Sequence, residues 1–579
     1  MEKQEYEAQI KALKEEIELL KKKQTYEIKR QKYGLNWIDV PEAFEKDSEN
    51  KIPVLEEVKE KSIKNNDGKP THILIEGDNY HALQCLNYTH KGKIDVIYID
   101  PPYNTGKEFV YKDARFLDKY PDGSLVDSNH PLKHSYWLSF MEKRLKLAKN
   151  LLSEEGVIFI SIDDNEFPNL LILCNQIFEY DNFICNFVWT NNEGGGGSDS
   201  KFIKTKHEYI VCFCKNIKKF ATKNVPIEDE ERYKLSDKYE NIRGKYQLVK
   251  LSSASIQYSK SLDYPIEMPD GTIVNPVDNS DKNRSCWRWS KKKLEWGLQN
   301  DFVVFKKNTK GEWQVYTKQY INCDKDGNIC KRTKIPLALI DKFSSTQASN
   351  NLIELMNGKF FSYPKPYQLI EWLIERIPSS SSTILDFFAG SGTTLHATMK
   401  LNEEDGGNRQ CILVQLNENN ICEEVTYERN RRVMQGYTNS KGEQIPGLGN
   451  SLKYYKTAFI GQNNCKNAND DDRTELAKKA GCLLSLGENT LDEICSTEYY
   501  QLFTGSKEAT AVYFTDDYEK FDEFKEKVAE LAPKFKKTFV YIFAWSSADD
   551  FAYEFEDIPN IQIKAIPLPI LEIYKSIYN

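Results

Sequence analysis

The feature that most constrains the fold of this chain is a repeated unit of one apolar strand followed by a helix. Three stretches, THILIEGD (71–78), KIDVIYID (93–100) and GVIFISID (156–163), are apolar almost throughout, and each ends in aspartate. Apolar residues at helical spacing occur between them, most clearly over 135–152. Strands that are apolar on both faces are typical of parallel sheets with helices on either side. The sequence therefore predicts a doubly wound α/β sheet.

This rhythm is interrupted between about residues 217 and 350, where short strand-like pieces alternate with Gly, Pro, Asn and Asp. It resumes with a helix over 366–377 and with strands over 382–390 and 410–416. One α/β sheet is thus predicted to be divided by an inserted domain. We predict an N-terminal helix (1–30), a first part of the core (31–216), the insert (217–350), a second part of the core (351–465) and a small C-terminal α/β domain (466–579).

The first 24 residues carry a heptad pattern. Apolar side chains alternate at steps of four and three residues, at Tyr6, Ile10, Leu13, Ile17 and Leu20. β-Branched residues at one heptad position and leucine at the other favour a two-stranded coiled coil, and hence a homodimer. A single amphipathic helix docked on its own domain is the alternative, and the pattern leaves both open.

Composition bears on location and on metals. No apolar run reaches 18 residues and the N-terminus carries no signal-peptide pattern, so we expect a soluble, cytoplasmic protein without membrane contact. The 13 cysteines are scattered, without paired C-x-x-C sets, which favours reduced thiols over a zinc site. We therefore expect no metal.

A glycine-rich turn lies at the carboxyl end of the strand predicted over 382–390. Its sequence is DFFAGSGTT, from Asp386 to Thr394, and it opens a helix. Glycines let the backbone approach a ligand closely, and a helix N-terminus favours an anionic group. The chain has neither a Walker-type G-K-[ST] nor the G-x-G-x-x-G spacing here, which disfavours ATP and NAD. By itself, such a turn is shared by nucleotide, flavin and methyl-donor folds.

A second motif, DPPYNTG, begins at the end of the strand predicted over 93–100. An amine that acts as a nucleophile needs acceptors for its N–H groups, held so that its lone pair faces the electrophile. The Asp100 carboxylate and the proline-fixed carbonyl of Pro101 can supply them. Tyr103 offers a planar base a stacking face, worth about 1–3 kcal/mol. The motif predicts a site for the exocyclic amino group of a flat heterocycle.

Taken together, the two motifs resemble those of the amino-group DNA methyltransferases that use S-adenosylmethionine. Their order, with DPPY far before FxGxG and a variable insert between them, resembles the β group of these enzymes, whose Rossmann-like sheet is circularly permuted. The resemblance extends to the modification subunit of type III restriction–modification systems. It rests on KYGLNW (32–37), ILIEGDNYHAL (73–83), DPPYNTG, GVIFISIDDNE (156–166), YPKP (363–366), DFFAGSGTT and the ending IKAIPLPILEIYKSIY.

The resemblance implies roles for individual residues. A flipped adenine would be held by Asp100, Pro101, Pro102 and Tyr103. The methyl donor would be lined by Phe388, Gly390, Gly392 and Thr393, with Asp386 at its amino-acid end, Asp78 at its adenine and Lys365 near its carboxylate. Many such enzymes have an acid that binds the ribose hydroxyls after the next strand, whereas this chain has Gln415 there.

The implied reaction is methyl transfer to the N6 amino group of adenine in duplex DNA, after base flipping and without a metal. Cytosine-N4 methylation is one alternative, although that branch usually has serine in place of Asp100. A specificity subunit that mainly positions a nuclease is another, and the complete motifs argue against it. The sequence carries no helicase or nuclease motif, so cleavage would require a separate restriction subunit.

The net charge of −8 conceals one basic region. Residues 281–350 hold 15 Lys and Arg against 7 Asp and Glu, a local balance of +8. The cations alternate with tryptophans over 286–296, which predicts contact with DNA phosphates. The predicted DNA-binding residues are Trp287, Arg288, Trp289, Lys291, Lys292 and Lys293. Alternatively, the tryptophans form the core of the insert and the lysines its solvated face.

The glycine loop 194–197 could close over a flipped base or be an ordinary surface loop.

Overall fold

The computed structural model describes residues 51–105, 133–190 and 205–577, apart from residues 228, 254, 277–284, 546 and 548, together with the single positions 14, 35, 37 and 203. The predicted N-terminal coil and the glycine loop 194–197 lie outside the described residues. The chain divides into two compact units, the first formed by Met1–Thr222 with Ala338–Asn579 and the second by Lys223–Leu337. The second unit falls inside the range 217–350 expected for the insert.

The first part of the larger unit alternates strands with helices. Asp78 begins the first helix, because its carboxylate accepts a hydrogen bond from the backbone N–H of Tyr80. The elements are β1 (Ile52–Glu57), β2 (Thr71–Glu76), α1 (Asn79–Thr89), β3 (Ile94–Ile99), α2 (Lys133–Leu151), β4 (Leu152–Ile162), α3 (Phe167–Phe178), β5 (Phe183–Trp189) and β6 (Glu208–Cys214), with 3-10 helices at Lys59–Lys61 and Tyr180–Asn182.

The smaller unit consists of short strands around a small core of its own. Leu251, Trp287, Leu294 and Val315 are buried together in it. Its elements are β7 (Val225–Pro226), α4 (Glu240–Arg243), β8 (Tyr246–Lys250), β9 (Ser252–Ser253), β10 (Ile266–Glu267), β11 (Ile273–Val274), β12 (Cys286–Trp287), α5 (Lys291–Gln299), β13 (Val303–Lys307), β14 (Trp313–Tyr320) and β15 (Thr333–Lys334), with 3-10 helices at Glu230–Arg232 and Lys260–Leu262.

The α/β rhythm then returns in the larger unit. The elements that complete its central sheet and cover it are β16 (Leu339–Ile340), α6 (Ser345–Met356), α7 (Tyr367–Glu375), β17 (Thr383–Asp386), α8 (Thr393–Asp405), β18 (Gln410–Gln415), a 3-10 helix (Glu418–Asn420), a π-helix (Ile421–Tyr427), α9 (Glu428–Gln435), β19 (Gly436–Thr438), β20 (Gln444–Pro446) and β21 (Ser451–Ile460).

The C-terminal segment forms a second sheet, in the order β22-β23-β24-β25-β26. Its elements are α10 (Asp470–Lys479), α11 (Gly481–Gly487), β22 (Asp492–Ser496), β23 (Tyr500–Thr504), β24 (Glu508–Tyr513), α12 (Phe521–Leu531), β25 (Lys537–Ala544), β26 (Ile561–Pro567) and α13 (Leu568–Ile577), with 3-10 helices at Ala532–Lys534 and Asp549–Phe555.

The central sheet has the strand order β1-β21-β2-β18-β17-β3-β4-β6-β5-β16. From β21 to β4 all neighbours are parallel, whereas β6 runs antiparallel to β4. Strand β17, which follows the smaller unit in sequence, pairs with β3, which precedes it. The predicted doubly wound α/β sheet, divided by an insertion, is confirmed.

Apolar side chains cover both faces of the central sheet. Along β3, Ile97 and Ile99 pack into one core, while Val96 and Tyr98 pack into the core of the opposite face. Helices α1 to α3 and the C-terminal sheet contribute to the first core, and helices α6 to α9 contribute to the second. Within the described part of the chain, no helix has the length and hydropathy needed to cross a membrane.

Candidate active site

The two sequence motifs meet at the carboxyl edge of the central sheet. Strands β3 and β17 are parallel neighbours, with Val96 opposite Ile384 and Ile97 opposite Leu385. Because neighbouring parallel strands end at the same edge of a sheet, Asp100, after β3, and Asp386, at the end of β17, both belong to this edge. Nearly three hundred residues separate the motifs in sequence, and the pairing of β3 with β17 brings them to the same edge of the sheet.

A polar cluster has formed around Asp100. The Tyr103 hydroxyl donates to Asp100 Oδ1 at 2.7 Å and lies 3.2 Å from Glu208 Oε2. The Lys365 ammonium donates to both oxygens of Asp100 at 2.8 Å, and to the Tyr103 hydroxyl at 2.8 Å. The same ammonium is 3.4 Å from Glu208. The single positive charge of Lys365 is therefore shared between the carboxylates of Asp100 and Glu208.

Burial and charge together fix the protonation of this cluster. Burial acts to lower the pKa of Lys365, but the Asp100 and Glu208 carboxylates outweigh it, and the pKa is raised. Burial, reinforced by the charge of Asp100, raises the pKa of Tyr103 well above its ordinary value. At neutral pH the lysine is thus charged, and the tyrosine keeps its proton and can donate it.

The two prolines differ in what their carbonyls contact. The Pro102 carbonyl accepts a 2.7 Å hydrogen bond from the indole Nε1 of Trp137, on α2, which anchors the turn. Pro101 is buried, and its carbonyl accepts no hydrogen bond from any residue that the structure describes. Buried carbonyls are nearly always paired, so an open acceptor beside Asp100 indicates a place for a ligand's N–H group.

A buried glutamate holds the turn that follows Tyr103. Asn104 has a positive φ of 54°, and its amide donates to Glu166 Oε1. The other partners of Glu166 are His134, 2.6 Å away, and Asn169, which donates at 2.8 Å. His134 therefore has a structural partner. Glu166 secures the backbone that carries the DPPY motif.

The carboxyl group of Asp386 is turned inward beneath the glycine turn. It accepts hydrogen bonds from the Phe388 N–H at 3.0 Å and from the Thr394 hydroxyl at 2.6 Å. Burial raises the pKa of Asp386 to about 7, partly opposed by those two hydrogen bonds and assisted by the charge of Asp100. This group therefore changes its charge close to neutral pH.

The glycine turn itself is left-handed at two positions. Gly390 has a φ of 52° and Gly392 a φ of 73°. The backbone N–H of Gly390 donates to Gln415 Oε1 at 2.7 Å, and its carbonyl accepts from the Thr426 hydroxyl at 2.6 Å. Gln415, expected from the resemblance near the donor's ribose, thus braces the glycine turn.

A buried arginine supports the start of α8 from behind. Arg429 Nη1 donates to the hydroxyls of Ser391 at 2.8 Å and of Thr393 at 2.7 Å. Burial lowers its pKa to about 10, so it stays charged at neutral pH. Thr393, expected at the donor, is 6% exposed and contacts Arg429.

Three further residues were expected at the donor from the resemblance, namely Asp78, Phe388 and Lys365. Asp78 follows β2, two strands from β17 across β18, and Arg144 Nη2 lies 3.5 Å from its carboxylate. Phe388 packs against Phe140, with ring centroids 5.9 Å apart. Lys365, expected near the donor's carboxylate, is bonded to Asp100.

Sequence reasoning did not identify Glu208. It begins β6, and the Ile162–Tyr209 pairing of antiparallel β4 and β6 places the start of β6 beside the end of β4. An acidic residue at the start of a strand is a signal only when the direction of that strand is known. The sequence HEYIVCFC predicts the strand but not its direction.

The six residues predicted to bind DNA differ in exposure. Arg288, Lys291 and Lys292 are exposed. Lys293 is bonded to Asp326 at 2.9 Å and lies 3.5 Å from the Trp296 ring centroid. Those two contacts hold Lys293 against the smaller unit.

The tryptophans are placed differently from the prediction in one case. Trp287 is 2% exposed, and its indole donates to the Tyr264 carbonyl at 2.7 Å. It is a core residue of the smaller unit and offers no face to DNA, which corrects the prediction for this residue. Trp289 is partly buried, and its ring lies against Gly297 of α5.

Comparison with known proteins points in one direction. A family model described as DNA methylase matches residues 94–427. The Mod subunit of the type III restriction–modification enzyme EcoPI from Escherichia phage P1 is 32% identical over 428 residues, which cover 68% of this chain and 65% of that subunit. The type II methyltransferase M.KpnI of Klebsiella pneumoniae is 32% identical over 398 residues, covering 66% of this chain and 90% of that enzyme.

A further relative is the Mod subunit of the type III enzyme StyLTI from Salmonella typhimurium. It is 31% identical over 384 residues, which cover 62% of this chain and 55% of that subunit. The matched region thus spans somewhat less than two thirds of each of these two Mod subunits.

Proposed function

The chain belongs to the DNA methylase family, and from this premise we propose that it transfers a methyl group from S-adenosylmethionine to the N6 amino group of adenine in duplex DNA. The observation that carries the proposal is the pairing of β3 with β17, which sets the DPPY motif beside the glycine turn. An amine site and a donor site then share one edge of the sheet, as direct transfer between them requires.

The donor end has the chemistry that S-adenosylmethionine needs. The donor carries a positive sulfonium and an amino group, and carboxyl groups stand at three parallel strands of this edge: Asp78 after β2, Asp100 after β3 and Asp386 on β17. The left-handed turn at Gly390 and Gly392 leaves backbone next to the N-terminus of α8, where a donor carboxylate is favoured. The charges of these residues match those of the donor. The buried Asp386 would attract the donor through its negative charge.

At the acceptor end, Asp100 and Pro101 would hold the adenine amino group. This amine is a poor nucleophile, because its lone pair is delocalised into the ring. Hydrogen bonds to the Asp100 carboxylate and the open Pro101 carbonyl favour a more tetrahedral nitrogen and orient its lone pair. When bound, S-adenosylmethionine supplies a methyl carbon whose bonding electron pair stays on sulfur as the carbon joins the nitrogen. Asp100 is then positioned to accept the proton that the nitrogen releases.

The adenine must leave the duplex to reach Asp100, at a cost of a few kcal/mol. Contacts with DNA phosphates would offset this cost, and the exposed Arg288, Lys291 and Lys292 of the smaller unit are the candidates. We propose that residues 223–337 supply these contacts and that Tyr103 stacks on the extruded base.

The wider setting is proposed from the relatives. Two of them are named Mod subunits of type III restriction–modification enzymes. We propose that this chain is likewise a modification and specificity subunit, that it acts in the cytoplasm as a homodimer, and that a separate restriction subunit cleaves DNA.

The central test replaces the acceptor carboxylate. Asp100→Ala should lower the rate of labelled methyl transfer to DNA by about 100-fold or more, because the amine loses its charged acceptor. Binding of S-adenosylmethionine, measured by calorimetry, should persist. Asp181→Ala, at an exposed aspartate on a 3-10 helix, is the matched control and should transfer methyl groups at the wild-type rate.

The product decides between the alternatives. Modified-base sequencing of DNA from a methylation-deficient host that expresses this chain should find N6-methyladenine at one sequence. Methylation of cytosine alone would refute the base assignment, and full activity of Asp100→Ala would refute the mechanism. DNA binding without transfer to any base would favour a subunit that only positions a nuclease.

A further inference from the structure

One ammonium group serves two carboxylates at the acceptor end of the site. Lys365 Nζ lies 2.8 Å from each oxygen of Asp100, 2.8 Å from the Tyr103 hydroxyl and 3.4 Å from Glu208 Oε2. The side chains of Lys365, Asp100 and Glu208 are 11%, 28% and 20% exposed. The three charges therefore lie close together and largely out of water.

This arrangement competes with the adenine amino group. The amine needs an oxygen of Asp100 as the acceptor for one of its N–H groups. The Lys365 ammonium already donates hydrogen bonds to both of these oxygens. Lys365 must therefore give up at least one of them when the base arrives. An ammonium of this burial that loses its carboxylate without a replacement is strongly destabilised.

Glu208 is the replacement that the fold provides. Its carboxylate is already within ion-pair distance of Lys365, at 3.4 Å, and it is also within 3.2 Å of the Tyr103 hydroxyl. The Lys365 ammonium and the Tyr103 hydroxyl, which both donate to Asp100, can thus donate to Glu208 instead and stay within the cluster.

We propose that Glu208 is a positioning residue that takes over the Lys365 ammonium, so that Asp100 can bind the amino group of the target base. The proposal rests on the function proposed above. Without a target base, Lys365 covers Asp100; with one, Lys365 pairs with Glu208. Positive charge develops on the amino nitrogen during methyl transfer, and a second carboxylate keeps the neighbouring ammonium from opposing it.

The test is a double-mutant cycle at Glu208 and Lys365. The variants Glu208→Gln and Lys365→Met and their combination are compared in single-turnover methyl transfer, at saturating S-adenosylmethionine, on a duplex that contains the mapped site. Glu208→Gln should slow transfer about tenfold or more. In the Lys365→Met background the same change should cost less than about threefold, because no ammonium remains to be moved.

Insertion of the base gives a second measure that does not need turnover. With 2-aminopurine at the target position, Glu208→Gln should lower the fluorescence gain on binding, and the additional Lys365→Met change should restore it. Glu154→Gln, at an exposed glutamate paired with Lys219 on the same sheet, is the matched control and should behave as wild type in both assays.

Equal losses from Glu208→Gln in both backgrounds would overturn the proposal, because they would show that Glu208 acts independently of Lys365. Wild-type rate or wild-type base insertion in Glu208→Gln would overturn it as well. Failure of the wild-type protein to methylate adenine would refute the function proposed above, and is thereby distinct from a cycle without coupling in an active enzyme.

Discussion

Under the proposed function, Asp386 attracts a cationic donor only when it is ionised, yet this carboxyl group is buried. Burial raises its pKa to about 7, and the nearby charge of Asp100 acts in the same direction. At pH 6 most Asp386 side chains are therefore protonated in the protein without its donor, and at pH 8 most are ionised. A positive sulfonium should favour the ionised form.

We expect affinity for S-adenosylmethionine to rise as the pH is increased from 6 to 8, by up to about tenfold per pH unit below 7. In Asp386→Asn most of this dependence should disappear, because the amide does not titrate. Calorimetric titrations of both proteins at several pH values would measure it, and the donor's own amino group titrates equally in the two series. The same steep dependence in Asp386→Asn would contradict the prediction.

The raised pKa also has a consequence for stability. The folded protein binds this proton more tightly than the unfolded chain, in which the carboxyl has its ordinary value of 3.8. The resulting stabilisation is complete below that value and is lost as the pH rises through about 7. Without donor, therefore, wild type should gain stability relative to Asp386→Asn on acidification from pH 8 to pH 5, measured by urea denaturation.

At the scale of residues, the sequence was informative where a motif carries its own chemistry. Asp100, Tyr103 and the glycine turn were predicted from residue type and order. The contact of Lys365 with Asp100 was not predicted, because it depends on where the fold places the segment before α7. Glu208 was missed because strand direction cannot be seen in a single sequence.

At the scale of elements, helix α8 is bounded by two left-handed glycines that differ in surroundings. Gly392, before its first residue, has a φ of 73°, and Gly406, after its last, has a φ of 69°. A Cβ at Gly392 would lie 2.3 Å from the Asn430 amide nitrogen, whereas a Cβ at Gly406 would meet nothing within 4 Å. Comparing substitutions at the two glycines therefore separates the cost of a left-handed backbone from the cost of crowding the added Cβ.

Gly406→Ala should lower the free energy of unfolding by about 1–2 kcal/mol, the cost of a left-handed alanine. Gly392→Ala should cost a further ~1–3 kcal/mol, because Asn430 would have to move from its hydrogen bonds to the Gly392 and Thr426 carbonyls. Only Gly392→Ala should weaken donor binding. Urea denaturation and calorimetry measure the two effects, and equal losses of stability would show that crowding at Gly392 is relieved elsewhere.

Long elements were predicted well and short ones were not. The apolar strands and α2 have strong periodic patterns, and the structure places them within a few residues of the expected positions. The smaller unit contains several strands of two residues, such as β9 and β12, which are too short for a pattern to reveal. Its tryptophans are equally compatible with a core and with a stacking surface until their burial is known.

At the scale of the whole molecule, the distribution of charge matters more than the net charge of −8. Lys291 and Lys292 are exposed at the start of α5, whereas Lys293 is engaged with Asp326 and Trp296. The first two lysines are therefore the better test of phosphate contact, because reversing Lys293 would also disturb the smaller unit.

Lys291→Glu combined with Lys292→Glu should weaken DNA binding and reduce the salt slope of the logarithm of the binding constant by about 2, one for each lost phosphate contact. Fluorescence anisotropy at several salt concentrations measures both quantities. Lys507→Glu combined with Lys534→Glu, at two exposed lysines of the C-terminal segment, changes the net charge equally and should leave the slope unaltered. An equal change in the two double variants would show that only overall charge matters.

The pairing of β3 with β17 also determines how late in synthesis the two motifs can come together. A ribosome completes the segment with Asp100 and Tyr103 early, but β17, which lies between β3 and β18 in the finished sheet, emerges only after all of residues 223–337. Until residue 415 has been added, the backbone N–H of Gly390 in a nascent chain lacks its acceptor, the Gln415 side chain. Under the proposed function, we therefore expect chains truncated before residue 415 to lack methyl transfer activity.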